Sequence, residues 1–490
     1  MSRPKDLNDI NASVMSGLRW ATFSRFFAQL LTWANTFLVI RLISPTDFGL
    51  AALAGLFTNF LSMLNELGFS ISLVQRQVRD EATLSHVFGA LLLVGTTLTV
   101  GLFLSAPLVG LIVKDPRVVP LIRLSSVLFL TMSFSVIPQA RMTMDFSFRK
   151  LSAIDVASSL IGAASTLLMA LNNGGAWSLI TGSVVIGVSR TVLLTVYGPP
   201  MVRPRFGFAE LHGLAGFSGL VLVEKTLFYW YMQVDSFVVG RSLGAAELGI
   251  YAVGRQLTNI PLERAMGIIN SIAIPAFSLV KDDLDRVRAG YLKVLRLGAG
   301  YAFPVFWGLA AVSQPFVRLI IGTKWIAAAT VIQVLCIAMP LRMLNALTAP
   351  IATSIARQDV TIKSLLLATV LIPTCVLIGR HWGLTGVAAA WAIGFPLVYL
   401  FNVALARRAL GLSLPEILGA IWFPALAAAI MVGAIGVLDF FWLDSVHPLL
   451  NLAIAVPFGA MVFVASLWVL SRRTALEILM LARGLVRRAA

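Results

Sequence analysis

The sequence contains one stretch twice, at a constant spacing of 200 residues. Residues 225–259 align with residues 25–59 without a gap, and the matches include polar residues that apolar helix composition alone does not produce. An ungapped repeat of this kind indicates an internal duplication, so the chain is expected to hold two related halves. The matched pairs are Arg25 with Lys225, Asn35 with Asp235, Arg41 with Arg241, Asp47 with Glu247, Gly49 with Gly249, Ala52 with Ala252, and Thr58-Asn59 with Thr258-Asn259.

The composition predicts that both halves lie in a membrane. Of the 490 residues, 58% are hydrophobic and only 12% are charged, about half the 25% of an ordinary soluble domain. So much apolar surface indicates an all-α, polytopic membrane protein. The net charge of +16 is attributed to basic loops beside anionic lipid, and no nucleic-acid partner is expected. Cys336 and Cys375 lie in apolar segments and are interpreted as packing residues.

About fourteen apolar segments are long enough to span a bilayer as helices. They lie at 18–43, 48–73, 85–113, 118–138, 151–171, 176–197, 214–239, 247–277, 290–319, 326–353, 360–379, 384–406, 417–438 and 448–470. Residues 1–16 lack an apolar core followed by a cleavage site, so we expect the first span to be retained.

The repeat and the loop charges predict the domain organisation and the topology. Residues 1–205 and 206–412 should form two six-helix lobes, and 413–490 should add two helices and a basic cytoplasmic tail. Six spans separate the two copies, so both copies face the same way and are related by a parallel pseudo-twofold axis along the membrane normal. Cations concentrate in alternate loops, which places both termini in the cytoplasm; Lys114 and Arg117 are the main exceptions to this bias.

Polar residues form a stripe on the first helix of each lobe. Residues spaced by three and four positions share one helix face, and an ionisable group within a span is costly unless it faces protein or water. The stripe holds Arg25, Gln29, Thr32 and Thr36 in the first lobe, and Lys225, Tyr229, Met232 and Ser236 in the second. Cations at this depth suit an anionic substrate group such as a diphosphate, bound in a water-filled cavity between the lobes.

The following helices and Asp235 complete the candidate site. Asn59 on the second span, and Arg255 and Asn259 on the eighth, are further candidate substrate-binding residues, while Asp235 and Glu224 are candidates for binding a coupling proton or sodium ion. Structural alternatives remain open. Lys225 could pair with Glu224, Arg25 could extend to the cytoplasmic surface, and Asp235 could be a fixed hydrogen-bonding partner.

Enzyme chemistry is not indicated. The sequence has no nucleophile motif and no phosphate-binding glycine loop, and no loop is long enough to form a catalytic domain. The acidic run at 282–285 lies beside Arg286 and Arg288 and is interpreted as a solvated turn, so no metal site and no cofactor are expected. Pro261, Pro275, Pro304 and Pro340 fall within spans and predict helix kinks.

Several ordered motifs resemble those of bacterial polysaccharide exporters. They are RLISPTDFGL at 41–50, GFSISLVQR at 68–76, VDSFVVGR at 234–241 and LGIY at 248–251. PQAR at 138–141 and DFSFR at 145–149 are similar to the branch that includes the colanic acid exporter, the Wzx-type flippases. Each motif alone is loose, but their order and spacing together are fairly specific, and the resemblance covers nearly the whole chain.

The resemblance implies a member of the multidrug/oligosaccharidyl-lipid/polysaccharide exporter superfamily, with two six-helix bundles and two extra helices. It implies flipping of an undecaprenyl-diphosphate-linked oligosaccharide across the bacterial inner membrane for exopolysaccharide or surface polysaccharide, with polymerase machinery as a further candidate partner. Three alternative functions predict different features. A cation-coupled multidrug antiporter should carry an acidic cavity, a polymerase or ligase should carry a large periplasmic loop, and a lipid II flippase is disfavoured only by the exporter-like motifs.

Overall fold

A computed structural model describes residues 33–65, 73–74, 76–207, 218–355, 357–443, 446–477 and 480. These residues are helical apart from short connections, and none of them forms a β-strand. The predicted all-α class is therefore confirmed.

Sixteen helices account for the predicted spans within the described residues. They are α1 (33–42), α2 (Pro45–Asn65), α3 (Glu81–Val113), α4 (Val118–Ser125), α5 (Val127–Met144), α6 (Phe148–Leu171), α7 (Ala176–Tyr197), α8 (Ser218–Ser242), α9 (Ala245–Ser278), α10 (Leu284–Ala311), α11 (Ser313–Ile320), α12 (Ile326–Ser354), α13 (Gln358–Gly379), α14 (Gly383–Leu410), α15 (Leu414–Leu438) and α16 (Pro448–Leu470). The fourth span is the pair α4 and α5, and the ninth is the pair α10 and α11, so the helices agree with fourteen spans.

Length and composition identify nine helical stretches, within the described ranges, that could cross a membrane. The stretch Asp359–Leu410 contains both α13 and α14. Helices α8 and α9 are not among the nine, because ionisable residues such as Lys225, Asp235 and Arg255 lower their hydropathy. The two helices of the second repeat copy are thus unusually polar for spans.

The duplication is visible in the helix ends. Helix α1 ends at residue 42 and α8 ends at Ser242, while α2 begins at Pro45 and α9 begins at Ala245. At the start of α2, the Ser44 hydroxyl donates to the Asp47 carboxylate at 2.6 Å, and the Asp47 amide donates to Ser44 Oγ at 3.1 Å. An acid in the first helical turn supports such a start, which gives a physical reason for the match of Asp47 with Glu247.

The loop between α3 and α4 explains one exception to the charge bias. The Arg117 guanidinium donates to Asp115 at 3.0 and 2.8 Å, which offsets the positive charge of Arg117. This hydrogen-bonded cation also holds the pKa of the Asp115 carboxyl below its ordinary value.

The chain divides into two compact units. The first comprises Met1–Tyr229 and Gly244–Gly249, and the second comprises Trp230–Leu243 and Ile250–Ala490. In the first unit α6 packs along α7 and α3 along α5; in the second, α13 packs along α14, and α10 packs on both α12 and α15. Beyond α16, Glu477 pairs with Arg296 of α10 at 3.0 Å. The predicted lobe boundaries at 205 and 412 stay a prediction.

Two glycines that correspond in the repeat touch each other within the first unit. A Cβ atom at Gly49 would overlap the carbonyl oxygen of Ala245, and one at Gly249 would overlap the carbonyl oxygen of Pro45. The backbones at the starts of α2 and α9 therefore approach as closely as only glycine permits.

We expect Gly49→Ala to lower the thermal midpoint of the purified protein by several degrees, because forcing an atom into packed backbone costs about 1–3 kcal/mol. Gly55→Ala on the same helix is the matched control, since its new Cβ would meet only Asn59 Nδ2, at 3.7 Å. Equal thermal midpoints for the two variants would show that the close approach does not contribute to stability.

Candidate functional site

Some of the predicted site residues lie outside the described residues, and the others lie on described helices. Arg25 and Gln29 lie outside the described residues, and so does the side chain of Glu224. Lys225 is half-buried on α8 in the first unit. Tyr229, one turn further, donates its hydroxyl to the carbonyl oxygen of Leu56 and packs its ring against Phe60, with the ring centroids 5.3 Å apart. The predicted stripe thus meets α2 at Tyr229.

The two predicted asparagines differ in their surroundings. Asn59 is exposed on α2. Asn259 is half-buried on α9, and its side-chain oxygen is buried without a hydrogen-bond partner among the described residues. Asn259 therefore keeps an unused acceptor, whereas Asn59 is open to its environment.

Asp235 is the centre of a buried polar network in the second unit. Its side chain is 1% exposed, and both carboxylate oxygens accept hydrogen bonds. Tyr251 Oη donates to Oδ2 at 2.7 Å and Trp391 Nε1 donates to the same oxygen at 2.9 Å. Oδ1 accepts from the Ser236 amide at 2.6 Å and from Arg255 Nη1 at 3.1 Å. One carboxylate on α8 is thus bonded to α9 and to α14.

Arg255 also bonds to other groups on α8. Nη1 also contacts Gln233 Oε1 at 2.8 Å and Ser236 Oγ at 2.7 Å, and Nη2 donates to the carbonyl oxygen of Met232 at 2.6 Å. Its side chain is 13% exposed. Two residues that the sequence predicted for separate roles, Asp235 for a coupling ion and Arg255 for substrate, are therefore an ion pair.

This pairing sets a condition on the ion-coupling role of Asp235, which stays a prediction. Four donors already bond to the Asp235 carboxylate. They are the amide of Ser236, the hydroxyl of Tyr251, the indole of Trp391 and the positively charged guanidinium of Arg255. A proton or sodium ion would have to displace at least one of these donors, because a carboxylate offers about four lone-pair sites.

A second guanidinium, which the sequence analysis did not single out, lies beside the network. Arg342 on α12 is buried, and its guanidinium carbon lies 4.5 Å from the centroid of the Trp391 ring. Its nitrogens contact the sulfur atoms of Met232 at 3.3 Å and Met339 at 3.6 Å. The Trp391 ring is in turn packed against Tyr231, with the two ring centroids 5.6 Å apart.

Asp155 and Arg190 form another ion pair that was missed, in the first unit. Arg190 on α7 donates to Asp155 on α6 at 2.9 Å and to Gln139 on α5 at 3.2 Å. Arg342 and the Asp155–Arg190 pair have a simple signal in the sequence, which is an ionisable residue inside an apolar span. The repeat does not point to them, because neither Arg342 nor Asp155 belongs to the repeated stretch.

The fold and the network together define a multi-pass membrane protein whose spans carry buried, paired charges. The model of the family described as "Polysaccharide biosynthesis protein" matches residues 38–330, which is more than half of the chain. The chain belongs to this family.

Two curated relatives and one solved structure show what the chain is similar to in sequence and in fold. The chain is 26% identical over 423 residues to the lipopolysaccharide biosynthesis protein WzxC of Escherichia coli (strain K12), covering 85% of each chain. It is 24% identical over 331 residues to the succinoglycan biosynthesis transport protein ExoT of Rhizobium meliloti (strain 1021), covering 67% of each. Its fold resembles the inward closed conformation of the lipid II flippase MurJ, with a TM-score of 0.72, 12% identity, and 92% and 98% of the two chains covered.

We expect Asp235→Asn to lower the free energy of unfolding strongly, by about 3–5 kcal/mol, because it leaves the guanidinium of Arg255 buried without its carboxylate. Thermal unfolding of the purified protein measures the loss. Asp155→Asn is the matched control, since that carboxylate is 49% exposed, and it should cost less.

The double variant Asp235→Asn with Arg255→Gln tests the pairing itself. Removing both charges should recover part of the stability that the single Asp235→Asn change loses. Additive losses in the double variant would show that the two charges do not stabilise each other.

Proposed function

We propose that this protein flips an undecaprenyl-diphosphate-linked oligosaccharide across the bacterial inner membrane during the synthesis of an exopolysaccharide or surface polysaccharide. The observation that carries the proposal is the charge of the buried network, where two guanidinium groups, of Arg255 and Arg342, accompany one carboxylate, of Asp235. A membrane-depth excess of positive charge suits a cargo that carries anionic groups in its diphosphate or in its glycan.

The relatives support this cargo class. WzxC and ExoT are named for the biosynthesis or transport of polysaccharides, and the fold is shared with a lipid II flippase. A saccharide carried on a lipid diphosphate combines apolar, polar and anionic parts, so its transfer across a bilayer needs polar groups inside apolar spans. The described helices α8, α9 and α12 supply such groups.

The diphosphate is assigned to the first helix of each repeat copy. Arg25 and Lys225 would bind its oxygens, because guanidinium and ammonium groups form strong charge-assisted hydrogen bonds with phosphate. Gln29, Tyr229, Asn59 and Asn259 would contact the sugars. Both termini are proposed to lie in the cytoplasm. Asp235 or Glu224 is the proposed group that binds a coupling ion. The polysaccharide polymerase machinery is a proposed partner.

The network also weakens the antiporter alternative. A cationic drug needs an available carboxylate, whereas the Asp235 carboxylate is already neutralised by Arg255 at 3.1 Å and held by Tyr251 and Trp391. Catalysis is no part of the proposal, since the relatives are named for biosynthesis and transport and no reaction is needed to move the lipid.

A deletion strain tests the function. We expect the lipid-linked oligosaccharide to accumulate in the cytoplasmic leaflet and polymer export to stop, and the wild-type gene to restore export. A gene with Arg25→Ala and Lys225→Ala should restore at most about a tenth of export at equal protein level, which corresponds to a loss of about 1.4 kcal/mol in binding.

Lys281→Ala is the matched control, because Lys281 is an exposed loop cation. Normal polymer in the deletion strain, combined with new sensitivity to cationic dyes, would contradict the flippase and favour the antiporter. Normal export by the double variant would overturn only the assignment of Arg25 and Lys225.

A further inference from the structure

Arg342 is a buried cation whose positive charge is not matched by a carboxylate. It lies near the middle of the 29-residue helix α12 and is 6% exposed. Within the described part of the chain, no carboxylate forms an ion pair with it. Its guanidinium instead faces the Trp391 ring and the sulfur atoms of Met232 and Met339.

These neighbours leave the charge uncompensated. Sulfur is a weak acceptor, and a guanidinium has five donors and does not lose its proton in proteins. The nearby carboxylate of Asp235 is already bonded to Arg255, Tyr251 and Trp391. A cation kept at membrane depth without a counter-charge indicates a functional site by default.

Asn345 adds an acceptor to the same helix face. It lies three residues after Arg342, and residues three apart on a helix are neighbours. Its side-chain oxygen is buried and has no hydrogen-bond partner among the described residues. Arg342 therefore offers unused donors with a positive charge, and Asn345 offers an unused acceptor one turn away.

Only some anions satisfy both residues. An ionised diphosphate ester has acceptor oxygens but no donor, so it would leave the Asn345 oxygen unpaired. An acidic sugar carries a carboxylate for the guanidinium and adjacent hydroxyls that donate to the amide oxygen. The pair of residues thus matches a uronic acid better than a phosphate group.

Two of the side chains in contact with the Arg342 guanidinium are flexible. Met232 and Met339 cover the guanidinium, and methionine side chains are flexible and adapt to different partners. Pro340 lies two residues before Arg342 within α12, where it removes a backbone hydrogen bond and permits the helix to bend.

We propose that Arg342 and Asn345 form a specificity site that recognises a carboxylate-bearing sugar in the glycan of the transported lipid. The inference rests on the proposed function and deepens it. Arg342 donates to the sugar carboxylate and Asn345 accepts from a neighbouring hydroxyl, separately from the diphosphate contacts assigned to Arg25 and Lys225.

Binding of two defined probes to the purified full-length protein tests the site. Both probes are undecaprenyl diphosphates, one carrying a neutral disaccharide and the other a disaccharide that ends in glucuronate. We expect wild-type protein to bind the acidic probe at least about tenfold more tightly, and Arg342→Gln to bind both probes equally, with its affinity for the neutral probe within about threefold of wild type.

Met339→Glu gives a test that leaves Arg342 in place. Because Met339 Sδ lies 3.6 Å from Arg342 Nη1, the new carboxylate should pair with the guanidinium and abolish the preference for the acidic probe. Met339→Gln, of similar shape and without charge, should retain the preference. If Arg342→Gln does not fold, the comparison of Met339→Glu with Met339→Gln tests whether Arg342 recognises the acidic sugar.

Three results would overturn the proposal: no preference for the acidic probe in the wild type, an unchanged preference in Met339→Glu, or an equal loss of both probes in Arg342→Gln. The last result would assign Arg342 to the diphosphate. The proposed function fails separately, since a protein that is not a flippase would bind neither probe and its deletion would not stop polymer export.

Discussion

The hydrogen-bonded carboxylate of Asp235 is the interaction on which the second unit depends most. A bare carboxylate at membrane depth costs several kcal/mol, and here Tyr251, Trp391 and Arg255 offset that cost from two other helices. Satisfying this one group fixes the relative positions of α8, α9 and α14. The same bonds position the Trp391 ring, and this ring lies against the guanidinium of Arg342. The position of Arg342 therefore depends on the network around Asp235.

Much of the fold could be predicted from the sequence because its signals are local. The predicted spans end at 43 and 239 and begin at 48 and 247, within three residues of the ends of α1 and α8 and the starts of α2 and α9. Apolar length located the remaining spans. Helical spacing predicts which side chains share one face of a helix, as in the stripe from Lys225 to Tyr229, whose role in binding stays a prediction.

The partners across helices could not be predicted in this way. Trp391 and Asp235 are 156 positions apart, and no local pattern indicates that an indole will donate to that carboxylate. The pairing of Asp235 with Arg255 joins two candidates that had been given different roles, because side-chain spacing within a helix does not determine which helix lies opposite. The repeat does not point to Arg342, which lies outside it, although the sequence shows a charge within an apolar span.

The most direct measurement of the central claim is flipping by the purified chain in liposomes. An undecaprenyl-diphosphate oligosaccharide with a fluorescent label on its sugar would be distributed over both leaflets, and an impermeant reductant added outside. We predict that the label of the inner leaflet is also lost in vesicles that contain the protein, because labelled sugars are carried outward. An inner-leaflet signal as persistent as that of protein-free vesicles would contradict the account.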